Sequence, residues 1–213
     1  EMANPSHSRM RKLLRHIHQL DVDHVFLDLG AGSAFNVLDF FLAADRGIMV
    51  IVPEPTSIEN AYHFMKAAFF RALRTAAKTT TVRRAINQVL EDRTQRRVRS
   101  PRRLVEAIWK IDPAAAEKVR HQANSFKPLL IVNQARTEEH RRIGRDVAIA
   151  CREFLGTQIE YVGALERDEC VRTAVSKSRP VVEMFPGCDF ARDLSLMVDR
   201  LKKEGSGDYG TSN

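Results

Sequence analysis

Three stretches put groups capable of chemistry where a ligand can reach them. The first is Val25-Phe26-Leu27-Asp28-Leu29-Gly30-Ala31-Gly32. A short apolar run with β-branched and aromatic residues, ended by a glycine turn, reads as a buried strand. Buried parallel strands aim their carboxyl ends into the crevice where α/β folds bind ligands. Asp28 therefore stands where a carboxylate meets a cation, and Gly30 and Gly32 let the backbone approach a ligand or turn sharply. Taken singly, Asp28 also reads as a turn or helix-cap aspartate, and the glycines as a plain turn. The second stretch, Pro128 to Gln134, ends an apolar run in the amide of Asn133, which alone also reads as a strand-end turn residue. The third, Ile159 to Leu165, is another such run, followed by Glu166-Arg167-Asp168-Glu169.

These stretches need elements to hold them. An amphipathic helix is expected from about Ser8 to Leu20. Ser33 or Asn36 is expected to cap a helix running to about Ala44, with Phe35, Leu38, Phe41 and Leu42 as apolar positions. Gly47 to Val52 reads as a second buried strand. Ser57 and Asn60 then open a helix from Ile58 to Leu73, whose Ala61, Phe64, Met65, Ala68, Phe69 and Leu73 recur every three and four residues. Asp112-Pro113 starts a helix through Val119, and Thr137 caps one reaching Leu155, with Glu138 and Glu139 favouring its dipole. Helices follow at Cys170 to Ser176 and about Asp189 to Lys202, separated by extended Arg179 to Val182 and Phe185 to Gly187. The alternation predicts an α/β fold with a mainly parallel sheet and helices on both faces.

Residues 74–127 break that alternation and read as a basic helical insertion. Thr80, Val82, Ile86, Val89 and Leu90 mark one weak apolar stripe; Leu104, Val105, Ile108 and Trp109 mark another, with Trp109 expected as a core anchor. Arg83, Arg84, Arg93, Arg96, Arg97, Arg99, Arg102 and Arg103 crowd the same region. They read either as a solvated, salt-bridged face or as a patch for nucleic acid, an acidic partner or a membrane surface. No zinc-finger, helix-turn-helix or aromatic RNA-binding motif accompanies them.

The 213 residues suit one domain or a domain with an appendage, and the 44% hydrophobic content is ample for a core. The net charge of +7 favours anionic partners. No apolar run is long enough to span a bilayer, and residues 204–213 read as a polar, flexible tail. Cys151, Cys170 and Cys188 are widely spaced and odd in number. That argues against a disulfide framework or a zinc site and for a reducing cytoplasm.

Hydrophobic strand, Asp-x-Gly-Ala-Gly, helix, hydrophobic strand and then Pro-Glu-Pro-Thr-Ser-Ile-Glu-Asn-Ala-Tyr together resemble the MinD/ParA group of P-loop ATPases. The nearest branch is that of the MinD-like regulators related to the flagellar-number ATPase. The resemblance covers most of residues 21–73 and 128–201. It implies ATP and Mg2+ as cofactors, with Asp28 holding Mg2+ through a water and Gly30, Ala31 and Gly32 forming switch II, where Gly32 reports the γ-phosphate. It further implies that Asn133 reads the adenine edge and that the loop at Glu166 and Arg167 flanks the base through its backbone. Gln134 stands where the family more often has arginine, and Glu166 where it has proline. No GxxxxGK[ST] phosphate loop occurs in the sequence, and no basic membrane-targeting helix follows the last predicted helix. The chain is therefore expected to be the C-terminal portion of a longer ATPase, inactive in hydrolysis alone. The intact protein would form a nucleotide-dependent homodimer with a regulatory protein partner. The alternative is a basic interaction module, binding an acidic protein or nucleic acid without catalysis.

Overall fold

The computed structural model describes residues 7–76, 80, 82–84, 86, 105–106, 108–110 and 112–205. The chain divides into two compact units, one of residues 1–47 and 63–126, the other of residues 48–62 and 127–213.

The second unit carries the sheet. Strands β1 (Ile48–Ile51), β2 (Leu129–Ala135) and β3 (Glu160–Glu166) form a three-stranded parallel sheet in the order β1-β2-β3. Ile48 pairs with Leu129 and Ile51 with Val132 across the first ladder; Leu129 pairs with Glu160 and Ala135 with Glu166 across the second. Central β2 is the apolar one, with Leu129, Leu130 and Val132 buried, because both of its edges and both of its faces are covered. A helix over Glu138–Leu155 joins β2 to β3 and packs on both strands. Two short helices, Glu169–Ser176 and Val181–Met184, lead to a long one over Asp189–Gly205 that packs on β3. Side chains alternate across a strand, and here Tyr161 meets the Glu138–Leu155 helix while Val162 joins Leu129, Leu165 and Met197 under the last helix. Helices thus cover both faces, as the alternation predicts.

Two glycines make this packing possible. A Cβ on Gly144 would sit 2.1 Å from the Tyr161 ring, so only glycine lets the helix approach β3 there. Gly163 has φ +156, beside a register shift in the β2–β3 ladder, and a Cβ on it would come 3.1 Å from Met197.

The regular elements described in the first unit are helices. Helix α1 spans His7–Ile17 and α2 spans Phe35–Ala43; α3, over Pro55–Ala76, begins in the second unit and continues into the first. Helix α4 spans Pro113–Ser125. The later helices are α5 (Glu138–Leu155), α6 (Glu169–Ser176), α7 (Val181–Met184) and α8 (Asp189–Gly205). Leu38, Phe41, Ala68, Phe69, Leu73, Val82, Ile86, Ile108, Val119 and Phe126 are buried. Phe41 meets Phe64 edge-on at 5.0 Å between ring centres, and Phe69 lies 5.8 Å from Phe126. Of the apolar stripe expected early in the insertion, Val82 and Ile86 are buried and Thr80 is exposed, while Val89 and Leu90 lie outside the described residues.

Several expectations are corrected. Residues 24–30 form no strand: Phe26 is 83% exposed, with Val25 and Leu27 also exposed. An apolar run becomes a strand only when a neighbour takes its backbone hydrogen bonds, and this run pairs with no described strand. The N-cap of α2 is Ala34, which makes no side-chain cap bond; neither Ser33 nor Asn36 takes that place. Helix α3 opens at Pro55, while Ser57 Oγ accepts from Val52 N–H at 3.1 Å and closes the turn after β1. Val181 and Val182 lie in helix α7, and α8 runs to Gly205, past the point where the tail was expected to begin. Trp109 is 54% exposed, and its neighbour Ile108 takes the buried place expected for it. Of the arginine cluster, Arg83 and Arg84 are described and exposed; Arg93 to Arg103 lie outside the described residues, as do residues 206–213.

Candidate functional site

The carboxyl edge of the sheet gathers three of the residues singled out in the sequence. Asn133 lies near the end of β2, Glu166 ends β3, and Ala135 pairs with Glu166 across the ladder. Arg167 N–H continues it by donating to the Ala135 carbonyl at 2.9 Å. The strand end is shaped by Asn133 itself, whose Oδ1 accepts from Gln134 N–H at 2.9 Å. Gln134 adopts φ 59, a left-handed conformation that non-glycine residues take sparingly and that recurs at functional loops. The Asn133 side-chain nitrogen is a donor that this local bond does not use.

Glu166 is held by a polar network absent from the sequence reading. Arg141, from α5, donates to Glu166 Oε2 at 2.7 Å and to Asp193 Oδ2, from α8, at 3.4 Å. Asp193 Oδ2 also accepts from Glu166 N–H at 3.0 Å, and Tyr161 O–H donates to the Arg141 carbonyl at 2.6 Å. Burial works against charge on Arg141, but Asp193 and Glu166 outweigh it and hold the guanidinium above its ordinary pKa. Burial raises the Tyr161 phenol, with the nearby arginines opposing. The side chain of Glu166 is thus committed to scaffolding, and what the loop offers a ligand at this position is backbone. No periodicity marks Arg141 or Asp193, which meet only because α5 and α8 both flank the end of β3.

Immediately beyond Arg167 the loop turns into α6. Asp168 is the N-cap, its Oδ1 accepting from Cys170 N–H at 2.8 Å, and its Oδ2 accepts from Phe190 N–H at 3.5 Å at the start of α8. The Cys170 amide leads in holding the Asp168 carboxyl below its usual range, with the Cys170 thiol, the Phe190 amide and the Cys188 thiol adding to it against a desolvation cost. The same contact with Asp168 is the main cause that pushes the Cys170 thiol up to about 11. The ligand atoms of Asp168, Cys170 and Cys188 all lie within 4.8 Å of one another. The wide spacing of Cys170 and Cys188 along the chain gave no sign that they meet. Cys151 is buried in α5, and burial alone raises it to about 11.

In the first unit, Asp28 is exposed and is followed by an open glycine loop: a Cβ on Gly30 or Gly32 would meet nothing within 4 Å, and Gly32 has φ +105. Ala31 between them is exposed. An exposed carboxylate beside unobstructed backbone fits a water ligand of Mg2+ and leaves room for a phosphate. Next to this loop, Ser33, Phe35 and Leu38 with Lys66, Phe70, Arg71 and Arg74 line an open pocket of about 280 Å3. Arg71 Nη2 donates to Asp39 Oδ2 at 2.6 Å, a second bond joins its Nε to Oδ1, and its guanidinium lies 4.9 Å from the Phe35 ring centre. The hydrogen bond that Arg71 donates to Asp39 raises the Arg71 pKa against a desolvation cost. Asp28 with its glycines and Asn133 with Glu166 and Arg167 therefore belong to different units.

A parallel sheet with helices on both faces and a polar carboxyl edge defines this protein as an α/β fold, consistent with the P-loop NTPase-like class. No protein-family model matches the chain. The chain is similar to the antiactivator FleN of Pseudomonas aeruginosa, 25% identical over 167 residues, which are 78% of this chain and 41% of FleN. It thus spans about two fifths of that relative's length. The similarity supports a likeness to the MinD/ParA family and nothing finer. No helix among the described residues is long and apolar enough to cross a membrane.

Proposed function

We propose that residues 1–213 carry the Walker B, switch II and adenine-side portion of a MinD/ParA-type regulator that binds ATP with Mg2+. The observation that carries this reading is the similarity to an antiactivator of that type along most of the chain. The sheet edge supports it: Asn133 retains an amide donor there, and Glu166 and Arg167 present backbone beside it. In this scheme Asp28 holds a metal-bound water, the Gly30–Gly32 loop follows the γ-phosphate, and Asn133 selects adenine. Bound Mg2+ would neutralise phosphate charge. Phosphoryl transfer depends on positioning and charge stabilisation, which a phosphate loop supplies. With no such motif in the sequence, this chain hydrolyses no ATP by itself. The intact protein would dimerise around nucleotide and act through a regulatory protein partner, in the reducing cytoplasm.

Calorimetry with Mg2+ and ATP on the intact protein tests the proposal. Saturable binding that weakens at least tenfold in both Asn133→Ala and Asp28→Ala is expected. Absence of nucleotide binding, together with salt-sensitive binding to nucleic acid or an acidic protein, would favour the basic interaction module instead, a reading that the net charge of +7 supports.

A further inference from the structure

We propose that Asp168, Cys170 and Cys188 form a Zn2+ site at the junction of α6 and α8. It is independent of the nucleotide reading and draws on different residues. Zn2+ binds sulfur at about 2.3 Å and carboxylate oxygen at about 2.0–2.2 Å in tetrahedral geometry, which sets ligand atoms about 3.5–3.8 Å apart. The three ligand atoms here already lie within 4.8 Å of one another, so small side-chain rotations close the site.

The backbone around the cluster is built to hold it. Asp168 caps α6 and reaches the amide of Phe190 at the start of α8, so one carboxylate ties together the two helix starts that carry the thiols. Cys188 immediately precedes α8: its N–H donates to the Phe185 carbonyl at 3.1 Å, and its carbonyl accepts from Arg192 N–H at 3.1 Å. These amide bonds to Asp168 supply the outer support that orients metal-bound carboxylates. Both thiols sit at the amino ends of helices, Cys170 in the first turn of α6 and Cys188 just before α8. Two thiolates and one carboxylate are a soft, three-membered donor set, which selects Zn2+ over Mg2+. All three residues are half-buried, leaving a fourth position open to water.

The test is titration of the reduced, full chain with Co2+ followed by Zn2+. One equivalent of Co2+ is expected to give thiolate charge-transfer absorption and the visible bands of a tetrahedral site, both erased by one equivalent of Zn2+. Zinc should slow alkylation of Cys170 and Cys188 at least tenfold. C170S and C188S should each lose the charge-transfer intensity in part and weaken binding at least tenfold; D168N, which keeps an N-cap acceptor, should weaken binding while retaining the thiolate bands. Equal cobalt uptake by a C170S/C188S double variant would mean an adventitious ion only and overturn the site. So would unchanged alkylation in zinc, or formation of a Cys170–Cys188 disulfide on exposure to air in a chain that takes up no cobalt when reduced.

Discussion

Residues 25–28 and residues 129–133 carry the same kind of sequence, an apolar run ending in a polar residue suited to a ligand. They end as different structures. Leu129 to Ala135 lies between two strands and buries Leu129, Leu130 and Val132, whereas Val25 to Leu27 pairs with nothing described and leaves Phe26 in solvent. A strand is a property of a pair. Its backbone groups must be bonded whenever they leave water, so an apolar run without a neighbour stays open however well its composition suits a sheet. The two runs therefore differ in how firmly they hold their terminal residues. Asn133 is fixed by the ladder and by its bond to the Gln134 amide, while Asp28 rides on an open segment.

The largest expected effect sets the core of one run against the other. Leu130→Ala removes a side chain that is 1% exposed and should lower stability by about 2–5 kcal/mol in urea unfolding. Phe26→Ala should change it by no more than about 0.5 kcal/mol. A comparable loss from Phe26→Ala would erase the contrast and show that Phe26 is packed in solution.

A smaller effect isolates what holds β3 against its helix. Gly144→Ala pushes a methyl group into the Tyr161 ring, whose hydroxyl is tied to the Arg141 carbonyl, so the ring has little freedom to move. Overpacking of this kind costs about 1–3 kcal/mol. A second change, Tyr161→Leu, should recover part of the loss by freeing that space; failure of the double variant to recover any stability would put the cost elsewhere.

Helix starts give the next contrast. Thr137 accepts from His140 N–H at 3.2 Å at the start of α5, whereas α2 begins at Ala34 with no side-chain cap. Thr137→Ala should cost about 1 kcal/mol and Ala34→Asp should stabilise by about 0.5–1 kcal/mol, because Ala34 already has the extended conformation of a cap. Equal and opposite shifts in thermal midpoint would fit; a destabilising Ala34→Asp would show that α2 is held by packing that the carboxylate disturbs.

The smallest effect concerns pH. The Asp168 carboxyl is held below its ordinary range, chiefly by the Cys170 amide. A carboxyl whose pKa is depressed on folding contributes stability that is present above its unfolded pKa and is lost as pH falls through the folded value. D168N cannot ionise, so in metal-free protein its unfolding midpoint should fall less steeply below the ordinary carboxylate range than that of the parent. Superimposable pH profiles would remove Asp168 from the acid response.

Much of the fold was legible where the deciding interactions are local. Thr137 and Asp112 bond to amides three residues ahead, and that spacing is visible in the chain. The three apolar runs at 48–51, 129–135 and 160–166 became strands in parallel order, and the helices between them follow their apolar spacing. The apolar stripe of the insertion was readable too, but it could not say which of Ile108 and Trp109 would be covered. That depended on what lies opposite, and Ile108 took the buried position.

Sequence by itself determined the alternation of strands and helices, the helix caps within reach of their own amides, and the polar residues at strand ends. Tertiary structure alone decided that Val25 to Leu27 pairs with no described strand, that Arg141 joins Glu166 to Asp193, and that Asp168 and Cys170 meet Cys188. The reason is one of range. Turns of helix and pleats of strand repeat over a few residues and leave a period in the chain, whereas a hydrogen-bond partner or a second thiol supplied by a distant segment leaves none.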